Sequence, residues 1–274
     1  MCIRDRSKFF DISKSLLVEE LNIKPKEIKT DHRSINPKRN KLKATLKIFQ
    51  RELTETQKKF LKLAEDKSTK IIFVSGPAGT SKTYLSVLHA LKMINEKKVS
   101  DLIYIRSAVE SADSKLGFLP GEANEKLAPY IQPLLDKLSE LLPKEDIDLL
   151  LKEERVSGVP VGFLRGLNWN AKVIIGDEAQ NMSYKELFTL ITRIGEFSKV
   201  FILGDPEQSD INGKTGFMKM LSHFDDEESR QNGIHVFRFT EEDIVRSGLV
   251  QFIIKKVRSE IIKINQINNK IKRL

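Results

Sequence analysis

Cysteine is almost absent from this 274-residue chain: Cys2 stands alone, which excludes an intrachain disulfide and a cysteine-based zinc cluster. Long apolar runs are missing too, and nothing approaches the ~18 residues that a membrane-spanning helix needs. Met1 to Phe10 carry charge but lead into no apolar stretch, so no secretory leader is expected. Together these absences point to a reducing, cytoplasmic setting. The four histidines, His32, His89, His223 and His235, show no metal-ligand spacing. Isolated aromatics such as Trp169 and Tyr130 are read as core, with base stacking as the alternative. There is no internal repeat and no low-complexity tract.

Charge is plentiful but unevenly placed. The net charge is +9, and residues 1–51 hold 14 Lys/Arg against 6 Asp/Glu, a balance of +8. Residues 255–274 hold 7 Lys/Arg against Glu260 alone, a balance of +6, which leaves −5 for 52–254. Two basic ends on a mildly acidic core suit a polyanion partner met from the periphery, or two solvated termini. Asp225-Asp226-Glu227-Glu228 reads as a solvated acidic loop.

The patterning divides the chain into a basic N-terminal extension or linker (1–52), a core domain (53–250) and a basic amphipathic C-terminal helix (251–274). Lys24 to Arg51 is rich in charge and poor in apolar residues, so ordered packing is expected from about Leu53. Thr54 is placed to cap a helix running to Glu65, with Phe60, Leu61 and Ala64 inward. Short β-rich runs follow at Lys70–Ser75, Leu102–Arg106, Lys172–Gly176, Val200–Leu203 and His235–Phe239. Helices are expected over 82–96, 122–142, 183–194 and 214–223. Strands alternating with helices indicate an α/β fold, a mostly parallel sheet covered on both faces. Leu249, Phe252, Ile253, Val257, Ile261, Ile264, Ile267 and Ile271 recur at helical spacing, which predicts a long helix at the end.

The first strand runs into Gly76-Pro77-Ala78-Gly79-Thr80-Ser81-Lys82-Thr83 and then into a helix. This nearly matches the phosphate-binding pattern G-x-x-x-x-G-K-[ST], in which backbone N–H groups and a helix N-terminus meet the oxygens of a triphosphate. Lys82 would reach the β- and γ-phosphates, and the Thr83 hydroxyl would ligate magnesium. Ser81 departs from the pattern, since glycine is usual there. If the position needs a left-handed backbone, serine costs about 1 kcal/mol relative to glycine.

Two later strands end in acidic loops. Asp177, after Lys172-Val173-Ile174-Ile175-Gly176, would hold the magnesium through water, and its neighbour Glu178 would orient and deprotonate the attacking water. Gly204-Asp205-Pro206-Glu207-Gln208 follows another apolar strand, and Gln208 is placed to sense the γ-phosphate. These carboxyl ends are where ligands of parallel sheets bind.

Gly76–Thr83, Asp177-Glu178-Ala179-Gln180-Asn181 and Gly204–Gln208 together resemble the PhoH-like proteins. These are P-loop ATPases whose core is similar to one RecA-like half of a superfamily-one helicase. Arg106–Glu110, Leu116–Gly121, Pro129–Pro133, Arg165-Gly166, Thr192–Gly195 and Asp243–Arg246 agree in order, and the likeness spans about Leu53 to Val257. The resemblance implies a RecA-like sheet, ATP hydrolysis with Mg2+, and nucleic acid as partner, RNA before DNA. It places an adenine-reading glutamine at Gln57 and offers Arg246 or Arg193 as an arginine finger, each with a structural ion pair as the alternative. It also implies homo-oligomers, rings among them. Two readings of function stay open: an ATP-driven remodeller of RNA, or an ATP-dependent switch that docks a partner without motor activity. A small-molecule kinase would need an acceptor pocket or lid, and the sequence offers none.

Overall fold

Ile71–Ser75 (β1) is apolar on both sides, as a strand at the middle of a parallel sheet must be, and its Ile72, Phe73 and Val74 are fully buried. A computed structural model describes residues 42–107, 123–164, 169–206, 208 and 216–245, together with the isolated positions 248, 249, 252 and 256; within these, only the backbone is described for 123–130 and 163. The elements in chain order are α1 (Glu55–Glu65), β1, α2 (Lys82–Asn95), β2 (Asp101–Arg106), α3 (Ala123–Leu141), α4 (Lys144–Lys152), β3 (Val156–Pro160), β4 (Lys172–Asp177), α5 (Tyr184–Ile191), β5 (Lys199–Gly204), α6 (Phe217–His223), α7 (Glu227–Gln231) and β6 (Ile234–Arg238). The strands form a six-stranded sheet in the order β3-β2-β4-β5-β1-β6, and every pairing is parallel.

Alternate side chains of the strands face opposite layers, as the two-residue strand period requires. Ile72 and Val74 join Phe201, Val173 and Tyr104 in one core with Phe60 of α1 and Leu85, Leu88 and Leu91 of α2. Ile71 and Phe73 join Val200, Ile202 and Ile174 in the other, beneath Leu187 and Leu190 of α5 and Phe217 of α6. The sheet is therefore sandwiched between helical layers, as the alternation of elements predicted. Thr54 caps α1 as expected, in a capping box with Gln57.

Three sequence expectations are revised. Residues 42–51, read as linker, are tied to the core: Leu42 and Leu46 are buried, and Leu46 exchanges hydrogen bonds with Asn95 at 2.8 and 2.9 Å. Phe49 N–H adds a bond to the Leu141 carbonyl at 2.8 Å. Two leucines four positions apart and a polar side chain at the end of α2 are enough to outweigh the charge around them. β3 was missed because Val156-Ser157-Gly158-Val159-Pro160 reads as a turn. Gly158 packs closely there: a Cβ would lie 3.0 Å from the Ile131 Cβ of α3, so the helix would have to give to admit one. The acidic run is also less loose than expected: Asp226 caps α7 through the Ser229 amide, and Asp225 pairs with Arg238 at 2.6 Å. The long C-terminal helix falls outside the described residues apart from positions 248, 249, 252 and 256, which are helical.

Candidate nucleotide-binding site

The carboxyl ends of β1, β4 and β5 meet at one cavity of about 300 Å³, lined by Ala78, Gly79, Ser81, Lys82 and Thr83 on one wall and by Asp177, Glu178, Gln180, Asp205 and Gln208 on the other. The loop of the first wall is shaped by backbone needs. A Cβ on Gly76 would lie 2.7 Å from the Phe239 Cβ, so that close approach requires glycine. Gly79 has φ 89°, in the region glycine favours, and Ser81 has φ 71° and ψ 23°. The sequence departure at Ser81 is thus a left-handed serine, carrying the expected cost of about 1 kcal/mol. Thr80 is buried and its hydroxyl donates to the Pro77 carbonyl at 2.9 Å, closing the loop on itself. Lys82 Nζ donates to the carbonyls of Gly76 and Pro77 at 2.7 and 2.9 Å, across the mouth of the loop.

The second wall begins with Asp177. Thr83 Oγ1 donates to its Oδ2 at 3.0 Å, joining the N-terminus of α2 to the end of β4. Tyr104 Oη donates to the same oxygen at 2.6 Å from a buried position on β2. Burial, and then the Asp177 charge, push the Tyr104 phenol far above its ordinary range, so it remains a donor. Sequence reasoning missed Tyr104; an aromatic inside an apolar strand carries no signal of its partner.

Glu178 has φ 53° and ψ 40°, a left-handed conformation that only a well-determined surrounding sustains. That surrounding is visible. Gln180 Nε2 donates to Glu178 Oε2 at 2.6 Å, and Arg106 Nη2 lies 3.7 Å from Glu178 Oε1. Gln180 Oε1 in turn accepts from the Asp205 amide at 3.0 Å, and Asp205 Oδ2 accepts from the Ala78 amide at 3.1 Å. One chain of contacts therefore runs from the acidic pair through Gln180 and Asp205 back to the phosphate loop. Gln208 lies on the same wall, its amide bonded to the Asp205 carbonyl at 3.1 Å.

The structure thus brings Ala78, Gly79, Ser81, Lys82 and Thr83 to one cleft with Asp177, Glu178 and Gln208, while Gly76, Pro77 and Thr80 complete the loop without lining it. Gln57 is not among the residues lining it. It is buried, with Oε1 accepting from the Thr54 amide at 3.2 Å, and its Nε2 has no partner among the described residues. Trp169 is buried in the second core, as read from sequence. Arg193 lies outside the cleft lining with its Nε buried, and Arg246 lies outside the described residues.

A family model described as PhoH-like protein matches residues 50–258. The chain belongs to the PhoH-like family. The PhoH-like protein of Bacillus subtilis is 31% identical over 266 residues, covering 90% of this chain and 81% of the relative. The PhoH-like protein of Mycobacterium tuberculosis is 36% identical over 206 residues, covering 74% of this chain and 56% of the relative. Protein PhoH of Escherichia coli is 35% identical over 201 residues, covering 72% and 55%. The chain thus spans little more than half the length of the latter two relatives. Among solved structures, a Bacteroides Pif1 helicase in complex with ADP-AlF3 and ssDNA aligns with a TM-score of 0.31 and 18% identity, covering 70% of this chain and 42% of that one. The PhoH-like family and the parallel sheet with its phosphate loop support a nucleotide-binding P-loop protein. No described helix is long and apolar enough to cross a membrane.

Proposed function

We propose that this PhoH-like protein hydrolyses ATP with Mg2+ and couples turnover to binding or remodelling RNA. The observation that carries the reading is the 3.0 Å contact between Thr83 Oγ1 and Asp177 Oδ2, with Glu178 next in the chain and Lys82 opposite. A hydroxyl ligand with a carboxylate beside it to hold a coordinated water suits a magnesium ion whose shell phosphate oxygens complete. When bound, the metal would neutralise charge developing on the β- and γ-phosphate oxygens.

The chain's own residues supply the rest. Backbone amides of Gly79–Thr83 bind the phosphates, since Pro77 has no N–H and the Gly76 amide is held by the Gly204 carbonyl at 3.2 Å, and Lys82 leaves its two carbonyl partners for the β/γ-oxygens. Glu178 accepts a proton from the attacking water while Gln180 and Arg106 hold its carboxylate in place. Gln208 positions the water or the γ-phosphate. Gln57 is the residue proposed for adenine, through the Nε2 that lacks a partner. Arg246, or Arg193, is the proposed arginine finger, supplied by a neighbouring subunit of a homo-oligomer. The two basic ends are the proposed contact with the RNA backbone, in the reducing cytoplasm that a single cysteine suits.

The second reading is a switch without motor activity, in which the nucleotide state of the cleft docks or releases a partner. ATP turnover measured with and without single-stranded RNA, DNA and duplexes, beside the particle mass, separates the two. Marked RNA stimulation that falls steeply with salt, on an oligomer, supports the remodeller. Turnover indifferent to nucleic acid supports the switch, and no turnover under any condition contradicts both.

A further inference from the structure

Arg51 belongs to no motif, yet it lines the cavity beside Ala78, Gly79 and Ser81. Three contacts fix it there. Its guanidinium carbon lies 4.1 Å from the centroid of the Tyr84 ring. Its Nη2 donates to Ser81 Oγ at 2.6 Å, and its amide donates to Tyr84 Oη at 3.3 Å. Tyr84 is itself buried, so the ring is a fixed platform. The anchoring of Leu46 on Asn95 and of Phe49 on Leu141 delivers Arg51 to this place.

Ser81 is the other half. Its backbone is left-handed, where glycine is less strained, and its side chain makes no cap bond to α2. Its hydroxyl instead accepts from Arg51. A serine in a glycine position has here an assignment that glycine could not fill.

We propose that Arg51 is a nucleotide-binding residue that contacts the α/β-phosphates of ATP and ADP, and that Ser81 is its positioning residue. The inference rests on the ATP-binding reading above. Ser81 belongs to the stretch of loop whose amides cradle the α/β-phosphates, whereas Lys82 and Asp177, Glu178 and Gln208 serve the γ-end. A guanidinium carries five donors in a planar fork that fits phosphate oxygens, and only one of the five is engaged by Ser81 Oγ. A contact at the α/β-phosphates is the same in ATP and ADP, so it should alter affinity for both and leave the chemical step alone.

The test is calorimetric titration of the full chain with Mg-ATP and Mg-ADP, beside steady-state phosphate release, for wild type, Arg51→Met, Ser81→Gly and the double variant. Arg51→Met keeps an unbranched side chain over Tyr84 and should weaken both nucleotides about fivefold to tenfold, with kcat within about twofold. Ser81→Gly should weaken both about threefold in the wild-type background and not at all beside Arg51→Met, because only the tether is lost. Its melting temperature should be no lower than that of wild type, so the loss would not reflect damaged folding. Unchanged affinity of Arg51→Met, a loss confined to ATP or to kcat, or an equal Ser81→Gly effect in both backgrounds would overturn the proposal. Wild type that binds neither nucleotide would instead overturn the ATP-binding reading beneath it.

Discussion

The loop wall of the cleft comes from one continuous stretch, Gly76–Thr83, while the carboxylate wall is gathered from Asp177, Glu178 and Gln180 after β4 and Asp205 and Gln208 after β5. The first wall works through backbone: a close approach at Gly76, positive φ at Gly79 and Ser81, and a helix N-terminus behind them. The second works through side chains held by other side chains, Tyr104 on Asp177 and Gln180 on Glu178. The difference separates two tasks. Under the proposed function, backbone amides would bind a triphosphate with little regard to its γ-bond, and a preorganised carboxylate would act on that bond alone.

Changes on the two walls should therefore fail differently. The largest effect is expected at Lys82, proposed for both tasks: Lys82→Ala should abolish phosphate release and weaken ATP binding, and turnover near the wild-type rate would break the comparison. Next comes Gln180, which belongs to the carboxylate wall and reaches the loop through Asp205. Gln180→Ala should lower kcat roughly tenfold, with ATP affinity within about threefold, because Glu178 loses its closest restraint. An affinity loss equal to the kcat loss would show that the walls are not separable.

The smallest effect is expected away from both walls, at His89 in α2. It is buried among apolar residues, its ring edge-on to Phe201 at 5.7 Å, with neither nitrogen hydrogen-bonded among the described residues. Burial, and then the Lys199 charge, push its pKa down to about 3. The unfolded chain thus binds a proton that the folded chain refuses between the ordinary value of 6.5 and about 3. Stability is full above that window and falls with pH through it, by about 1.4 kcal/mol per pH unit from this group. His89→Leu should flatten that slope in denaturant titrations between pH 6 and 4 while leaving neutral-pH turnover within about twofold. An unchanged slope would place the acid sensitivity elsewhere.

Much of this architecture was legible because its determinants are local in sequence. Apolar runs gave β1, β2, β4, β5 and β6, and Thr54 marked the start of α1. The order of loop, acidic pair and Gln208 was enough to bring these residues to one sheet edge. What stayed hidden depends on partners far apart in the chain. Leu42 and Leu46 look like part of a charged arm until α2 is there to receive them. β3 contains Gly158 and ends in Pro160, and only its neighbour β2 makes it a strand. Gln180 stood inside a recognised motif, yet its bonds to Glu178 and Asp205 need the third dimension. Arg51 gave no signal because its contacts, Ser81 and Tyr84, lie about thirty positions away.

The most direct test of the division between the walls is Glu178→Gln, assayed for equilibrium ATP binding and single-turnover phosphate release in the same preparation. The account predicts binding close to wild type and hydrolysis slowed at least ~100-fold, since the amide keeps the shape but cannot take the proton. Release at the wild-type rate would contradict it.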